Sequence, residues 1–251
     1  MSSTGSGSVR SVKVAGVILA AGEGKRIGGN KALLEIEGAG SLERVVTCMR
    51  SAGCDPVIVV GGAEASSVRE EAIRLGVRFA LNSNWQNGQF SSLKTGMSEL
   101  VGAEGSELPG AEGSAPASAE GTDPASANES GRASKRGPKT AGGRGARLQE
   151  AGAIVALVDH PFVKKETYQV LVRASQRFPE RIIIPTHHDR RGHPVVVPRE
   201  VITEIIDAAD GMTLRDIMKK HNNLVLEQAV DDAGILKDID TETDLKSARQ
   251  E

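Results

Sequence analysis

Residues 12–20, 57–60, 154–158 and 182–184 are short apolar runs rich in Val and Ile. Runs of this length suit strands buried on both faces of a parallel sheet. Between the first two, Leu42, Val45, Val46 and Met49 fall at helical spacing, and Gly53 sits where such a helix would stop. Further helices are expected over residues 68–75, 93–100 and 165–178. The alternation predicts an α/β domain of Rossmann-like, three-layer α/β/α type with a mostly parallel sheet. The tail departs from this rhythm. Residues 194–197, 224–227 and 235–239 read as strands around helices at 200–208 and 213–220, which a mixed sheet or a small β-extension would accommodate.

One block interrupts the pattern. Residues 102–147 contain ten Gly, ten Ala, six Ser, four Pro and a single large aliphatic residue, Leu108. A segment so poor in apolar surface cannot offset its ordering entropy, so a disordered insertion is expected. Its charges are segregated, with six acids over 102–129 and six bases over 130–147. Residues 1–11 read as a disordered N-terminus. That leaves 12–101 and 148–251 as a single domain of ordinary size.

The 31 Lys and Arg against 33 Asp and Glu give a net charge of -2, which offers no electrostatic case for nucleic acid or an anionic membrane as partner. No apolar run approaches the ~20 residues of a membrane span. The polar start carries no apolar stretch of a signal peptide, so a cytoplasmic protein is expected. Cys48 and Cys54 have no His or Cys neighbours at metal spacing and read as reduced packing thiols.

The first strand runs into the loop LAAGEGKRIGGNK, residues 19–31, with four glycines in eight residues. Such a loop lets backbone N–H groups face a ligand closely, and Lys25, Arg26 and Lys31 add positive charge, so it reads as a polyphosphate site. No Gly-Lys-Ser/Thr is present for a Walker loop. Gly22 and Gly24 lack the third glycine of a dinucleotide fingerprint, which disfavours a NAD-binding domain.

This loop resembles the signature of the nucleotidyltransferases that include the molybdenum cofactor cytidylyl- and guanylyltransferases. Four later segments resemble the cytidylyl branch: NSNWQNGQFSSLKTG at 82–96, LVDHPFV at 157–163, RRGHPVVVP at 190–198 and GILKDIDTETDL at 234–245. The resemblance runs from about residue 14 to 245, with 102–147 as an atypical insertion. Asn30 and Ile27 depart from the Pro and Met frequent in the family, while the charged and glycine positions are kept. Ala21 is closer to the cytidylyl branch, since Gly is usual there in the guanylyl branch.

Asp159 follows an apolar strand, the end of a sheet where α/β folds place ligands. The residue type allows a Mg²⁺ ligand or a helix N-cap before Pro161. The resemblance implies the metal role, with Asp240 as second carboxylate. Alternation along a strand would put Asp238 and Asp240 on one face, so sequence alone does not choose between them. Asp244 reads as a charge in the first turn of a last helix. Arg26 and Lys31 would screen the triphosphate and the departing pyrophosphate, and backbone N–H groups near Leu19, Ala20, Ala21, Gly22, Gly24 and Lys25 would hold the nucleotide. Lys25 reads equally as a solvated loop residue.

Asn82, Asn84, Ser91 and Ser92 flank Gly88 and, with backbone groups of Ala20 and Ala21, offer amide and hydroxyl groups suited to a pyrimidine. The other reading is an N-capped helix with Ser91 or Ser92 as cap and Trp85 packed beneath it. His187, His188 and Asp189 read as a polar loop rather than a zinc site, because adjacent side chains on an extended segment diverge. His193 belongs to the family's Gly-His-Pro pattern and is expected near the acceptor substrate. His160 reads as structural.

The resemblance implies transfer of CMP from CTP to molybdenum-loaded molybdopterin with release of pyrophosphate. Mg²⁺ would be the cofactor, with a molybdoenzyme or its insertion chaperone as a further partner. The rivals are guanylyl transfer, cytidylyl transfer to another phosphate monoester, and a non-catalytic carrier or insertion chaperone of the cofactor.

Overall fold

The structure is a computed structural model that describes residues 13–24, 27, 29–102, 150–241 and 243–245, all within one compact unit. Residues 1–12, Lys25, Arg26 and 103–149 lie outside the described residues, and with them the expected N-terminal tail and nearly all of the expected insertion.

Chain order is β1 (Lys13–Ala20), a hairpin of β2 (Glu35–Ile36) and β3 (Ala39–Gly40), α1 (Ser41–Ser51), β4 (Cys54–Gly61), α2 (Ala65–Arg74), β5 (Arg78–Leu81) and α3 (Gln89–Gly102). After the insertion come β6 (Glu150–Leu157), α4 (Lys165–Arg177), β7 (Ile182–His187), β8 (Arg190–Arg191), β9 (Val195–Pro198), α5 (Arg199–Asp207), α6 (Leu214–Lys220) and β10 (Val225–Ala229). The main sheet runs β10-β7-β9-β6-β1-β4-β5, with β8 paired to β7. Strand β9 is antiparallel to both neighbours, while the pairings of β1 with β4 and β6, of β4 with β5 and of β10 with β7 are parallel. From β1 the chain builds outward through β4 and β5, then crosses back to place β6 on the other side. The crevice outside the C-terminal end of β1 is therefore where the topology leaves room for a ligand.

Alternation along β1 feeds two cores. Val14 and Ile18 pack with α1, α2 and α4 on one face. Ala15, Val17 and Leu19 pack with α3, α5 and α6 on the other. Helix α3 lies directly on the sheet because Gly96 has no side chain: a Cβ there would stand 2.5 Å from Val17 Cγ1. The helix α1 ends as expected, with Gly53 at φ 85°. Both thiols are free, and burial pushes that of Cys54 up to about 12.

A third, smaller core of Ile27, Ile36 and Ile239 joins the glycine loop to the C-terminal segment. Burying each such side chain is worth about 1.5–3 kcal/mol, enough to fix two irregular segments against each other. The expected strand at 235–239 is not formed. Residues Ala233–Leu236 make a 3₁₀ turn, because the buried Asp232 carboxylate captures the Gly234 N–H at 2.9 Å. The same carboxylate accepts from Lys164 N at 2.9 Å and Thr167 Oγ1 at 2.6 Å, tying this turn to the start of α4. No helix among the described residues is long and apolar enough to cross a membrane.

Candidate active site

Where β1 ends, the loop turns over a cavity of about 440 Å³. Its floor is Leu19 to Gly24 with Asn30 and Lys31; Trp85, Gln86, Gly88, Gln89 and Ser92 form one wall, and Leu157, Asp159 and Asp240 the other. Gly24 is required twice over: its φ is 62°, and a Cβ would fall 2.0 Å from Gly29 O. Gly22 meets nothing within 4 Å and leaves its backbone open. Asn30 Oδ1 accepts from Ala32 N at 3.0 Å, starting the 3₁₀ turn Lys31–Leu33. Asn30 Nδ2 is buried without a partner, leaving an amide donor at a cavity-lining residue.

Lys31 is held by this turn so that its ammonium reaches two acids. Nζ lies 3.3 Å from Asp159 Oδ2 and also pairs with Asp240 Oδ1. Burial works to discharge Lys31, but its hydrogen bond to Asp240 and the charges of both acids outweigh it, and its pKa is raised. The two acids arrive by separate routes. Val158 N donates to Leu19 O at 3.2 Å, fixing the end of β6 beside β1, and Ile239 N donates to Asp159 O at 2.9 Å. Asp244 closes the turn after Asp240, accepting from Asp240 N at 3.1 Å and Thr241 N at 2.8 Å. Its place in the first helical turn agrees with the sequence reading. Asp238 is exposed and Asp240 half-buried, so an irregular segment, not strand alternation, selects Asp240. Asp159 is not a cap, since α4 begins at Lys165 with Lys164 before it.

The loop at 82–96 divides differently from expectation. Gly88 and Ser92 line the cavity, whereas Asn82 and Ser91 stand outside its lining. Asn82 is buried with its side chain fully committed: Nδ2 donates to Ser91 Oγ at 2.8 Å and Ser92 Oγ at 3.0 Å, and Oδ1 accepts from Asn84 N at 2.9 Å. The serines do not cap α3, which starts ahead of both at Gln89. The groups facing the cavity are instead Trp85, Gln86 and Gln89. Gly62 brings Trp85 and the loop together, because a Cβ there would stand 2.6 Å from Trp85 Cβ and 2.7 Å from Ala21 O. The Gly61-Gly62 pair just after an apolar strand was the available signal for this role.

His193 lines a second cavity of about 210 Å³ rather than the first. Its ring lies 5.3 Å from that of His160, and Nδ1 of each is buried without a partner. Burial, and then repulsion from His160, lower the His193 pKa to about 4. Burial also lowers that of His160, against the pull of Asp159, Asp238 and Asp240. His187 and His188 stack with ring centroids 4.2 Å apart at the turn between β7 and β8. Among the described residues no group of three or more His, Cys, Asp or Glu is placed to hold a metal ion by itself. Lys25 and Arg26 lie outside the described residues.

The cavity lies at the reversal of strand order, where open α/β sheets place their ligands. Comparison narrows the class: residues 16–224 match the MobA-like NTP transferase domain, and the chain belongs to this family of nucleotidyltransferases. It is 42% identical over 84 residues to the nicotine blue oxidoreductase of Paenarthrobacter nicotinovorans, covering 33% of this chain and 41% of that protein. It is 43% identical over 51 residues to a probable molybdenum cofactor guanylyltransferase of Opitutus terrae, covering 20% and 25% of the two chains. The chain thus matches less than half the length of either curated relative. Rv0371c from Mycobacterium tuberculosis shares the fold at a TM-score of 0.67 and 20% identity over 96% of this chain and 100% of that one. Molybdopterin-guanine dinucleotide biosynthesis protein A from Archaeoglobus fulgidus does so at 0.56 and 17% over 94% and 97%.

Proposed function

We propose that this chain transfers CMP from CTP to molybdenum-loaded molybdopterin, releasing pyrophosphate. The observation that carries this reading is the Lys31 ammonium held between Asp159 and Asp240 at the edge of the glycine-loop cavity. The acceptor's phosphate oxygen attacks the α-phosphorus of CTP, the bond to the β-phosphate's bridging oxygen breaks, and pyrophosphate leaves with the electron pair. A phosphate monoester is already ionised near neutral pH, so no strong general base is required. What the protein supplies is alignment and charge stabilisation. Backbone N–H groups around Gly22 to Gly24 hold the phosphates, Asn30 Nδ2 supplies a donor, and Lys31 and Arg26 oppose the charge that develops on the leaving group.

The donor set fits Mg²⁺. Two carboxylates already share one cationic partner, and this hard ion takes one or two carboxylates together with nucleotide phosphates and water. When bound, it would neutralise phosphate charge and polarise the α-phosphoryl group. Ala21 supports the cytidylyl choice, and Gln86 and Gln89 supply amides at the cavity wall able to read a base edge. Guanylyl transfer, or cytidylyl transfer to another phosphate monoester, uses the same centre. A recipient molybdoenzyme or its insertion chaperone is the further partner.

A redox activity is the second reading, favoured by the relative named as an oxidoreductase. The experiment that separates the readings is pyrophosphate release with each NTP, with and without molybdenum-loaded molybdopterin. Release only with CTP and the acceptor is expected. Release with GTP alone among the NTPs would move the assignment to guanylyl transfer. No release with any NTP would leave the redox or carrier reading in its place.

A further inference from the structure

The two acids that meet Lys31 are supported very differently. Asp159 stands two residues beyond β6, whereas Asp240 stands eleven residues beyond the last strand, β10. Sheet register fixes the first, so something else must bring the second to the same ammonium.

Two close backbone approaches show where the C-terminal segment is seated. Ile235 O accepts from His193 N at 3.0 Å, and a Cβ on Gly192 would stand 2.3 Å from that oxygen and 2.8 Å from Ile235 Cγ1. One residue earlier, a Cβ on Gly234 would stand 2.3 Å from Phe162 O. Each gap falls about 1 Å short of the 3.4 Å at which ordinary contact begins, and each obstacle is a main-chain carbonyl that cannot swing aside. Neither glycine has a positive φ, so closeness and not backbone conformation excludes a side chain. The surroundings are fixed as well. Gly192 N donates to Pro185 O in β7 at 3.0 Å, and Phe162 packs against the core of Ile27, Ile36 and Ile239.

From Ile235, which is fully buried, the chain runs five residues to Asp240. It is pinned once on the way, where Ile239 N donates to Asp159 O at 2.9 Å, and then Asp240 pairs with Lys31. We infer that Gly192 and Gly234 are positioning residues for Asp240: they let the Ile235 stretch lie against the backbones of residues 192–193 and 162, and so set how far the second carboxylate reaches. The inference rests on the transferase reading only for what Asp240 binds. Neither glycine lines the nucleotide cavity, so each acts through the segment it seats. Close-packed interiors transmit such a displacement rather than absorb it. A misplacement of about 1 Å at a reacting centre costs up to about a hundredfold in rate. Asp159 is held separately, by Val158 N on Leu19 O at 3.2 Å.

The test compares Gly192→Ala and Gly234→Ala with Gly152→Ala in the full chain. Gly152 is a matched control, because a Cβ there would stand 2.4 Å from Val197 O, equally crowded but near the start of β6, at the end of the strand away from Asp159. The first readout needs no ligand: a urea double-mutant cycle of Lys31→Met and Asp240→Asn, run in each background. Coupling between the two residues is expected in the wild type and in Gly152→Ala, and should fall by at least half in Gly192→Ala and Gly234→Ala. The second is Mn²⁺ titrated with CTP and followed by electron paramagnetic resonance. Metal affinity should fall at least fivefold in either site variant, fall no further when Asp240→Asn is added, and stay within twofold of wild type in Gly152→Ala.

Full coupling in both site variants, an equal loss in Gly152→Ala, or no coupling in the wild type would overturn the inference. If one site variant does not fold, the other decides. Failure of both to fold while Gly152→Ala folds would also overturn it, since the contacts would then hold up the domain rather than aim one carboxylate. A wild type that binds no Mn²⁺ with CTP, with coupling still lost in the site variants, would sink the transferase reading and leave the positioning role standing.

Discussion

The carboxylates of Asp159 and Asp240 meet at one ammonium, that of Lys31, although they are carried by the end of β6 and by the irregular C-terminal segment. In the nucleotide-free protein Lys31 therefore fills the role of the cation those acids would otherwise require. On the proposed transferase reading, metal and nucleotide compete with it, and the triphosphate offers Lys31 an alternative partner.

That competition predicts two opposite effects of Lys31→Met. Turnover with CTP should fall at least tenfold, equivalent to about 1.4 kcal/mol of lost transition-state stabilisation. Nucleotide-free Mn²⁺ binding should instead become tighter, because two half-buried acids are left without a counter-charge. Steady-state kinetics and a Mn²⁺ titration followed by electron paramagnetic resonance measure the two. Weaker metal binding in this variant would show that Lys31 organises the acids rather than competing for them.

The glycine loop offers an internal control. Gly24→Ala places a side chain in the left-handed region, at a cost of roughly 1–2 kcal/mol, and drives it into Gly29 O. CTP binding by calorimetry should weaken at least tenfold. Gly22→Ala meets no atom within 4 Å, so its melting temperature should match the wild type. Comparable destabilisation of both variants would mean that the loop is not shaped as described.

Asp232 supports the site from a distance. Its carboxylate serves Lys164 N, Thr167 Oγ1 and Gly234 N, and it is only 2% exposed. Asp232→Ala leaves three donors to find new partners, at about 1–3 kcal/mol for each that stays buried and unpaired. Urea denaturation should show a loss of at least 2 kcal/mol on that basis. A midpoint equal to the wild type would show that water replaces the carboxylate at no cost.

Much of this was legible in the residues. The four β-branched runs are strands because strands covered on both faces of a sheet accept so continuous an apolar surface. Asp159 was legible because it follows one of them. Asp240 was not separable from Asp238, since its selection depends on the Ile239 N–H bond to Asp159 O and on the turn closed by Asp244. The strand reading of 235–239 failed because Asp232 spends its carboxylate on a turn, a long-range role that local pattern does not show. Asn82 looked like a base reader by type, yet its amide is consumed in holding Ser91 and Ser92. Residue type shows what a group can bind, and packing decides whether it is free to do so.

The insertion gives a prediction from composition. The expected insertion at 102–147 begins one residue later, since Gly102 closes α3; we propose that residues 103–147 contribute little to the transferase core, since doubling a flexible loop's length costs only about 0.6 kcal/mol. Replacing them with a short Gly/Ser linker should leave the melting temperature and CTP turnover near wild type. Loss of cooperative unfolding in calorimetry would contradict that boundary.

We propose that Asp159 and Asp240 hold a metal–triphosphate complex over the glycine loop. The most direct test is the electron paramagnetic resonance spectrum of Mn²⁺ titrated into the protein with CTP. The wild type should form a ternary complex in which the nucleotide tightens metal binding, and Asp159→Asn should abolish it, with Asp240→Asn weakening it. A ternary complex of unchanged affinity in the Asp159→Asn and Asp240→Asn double variant would contradict the account.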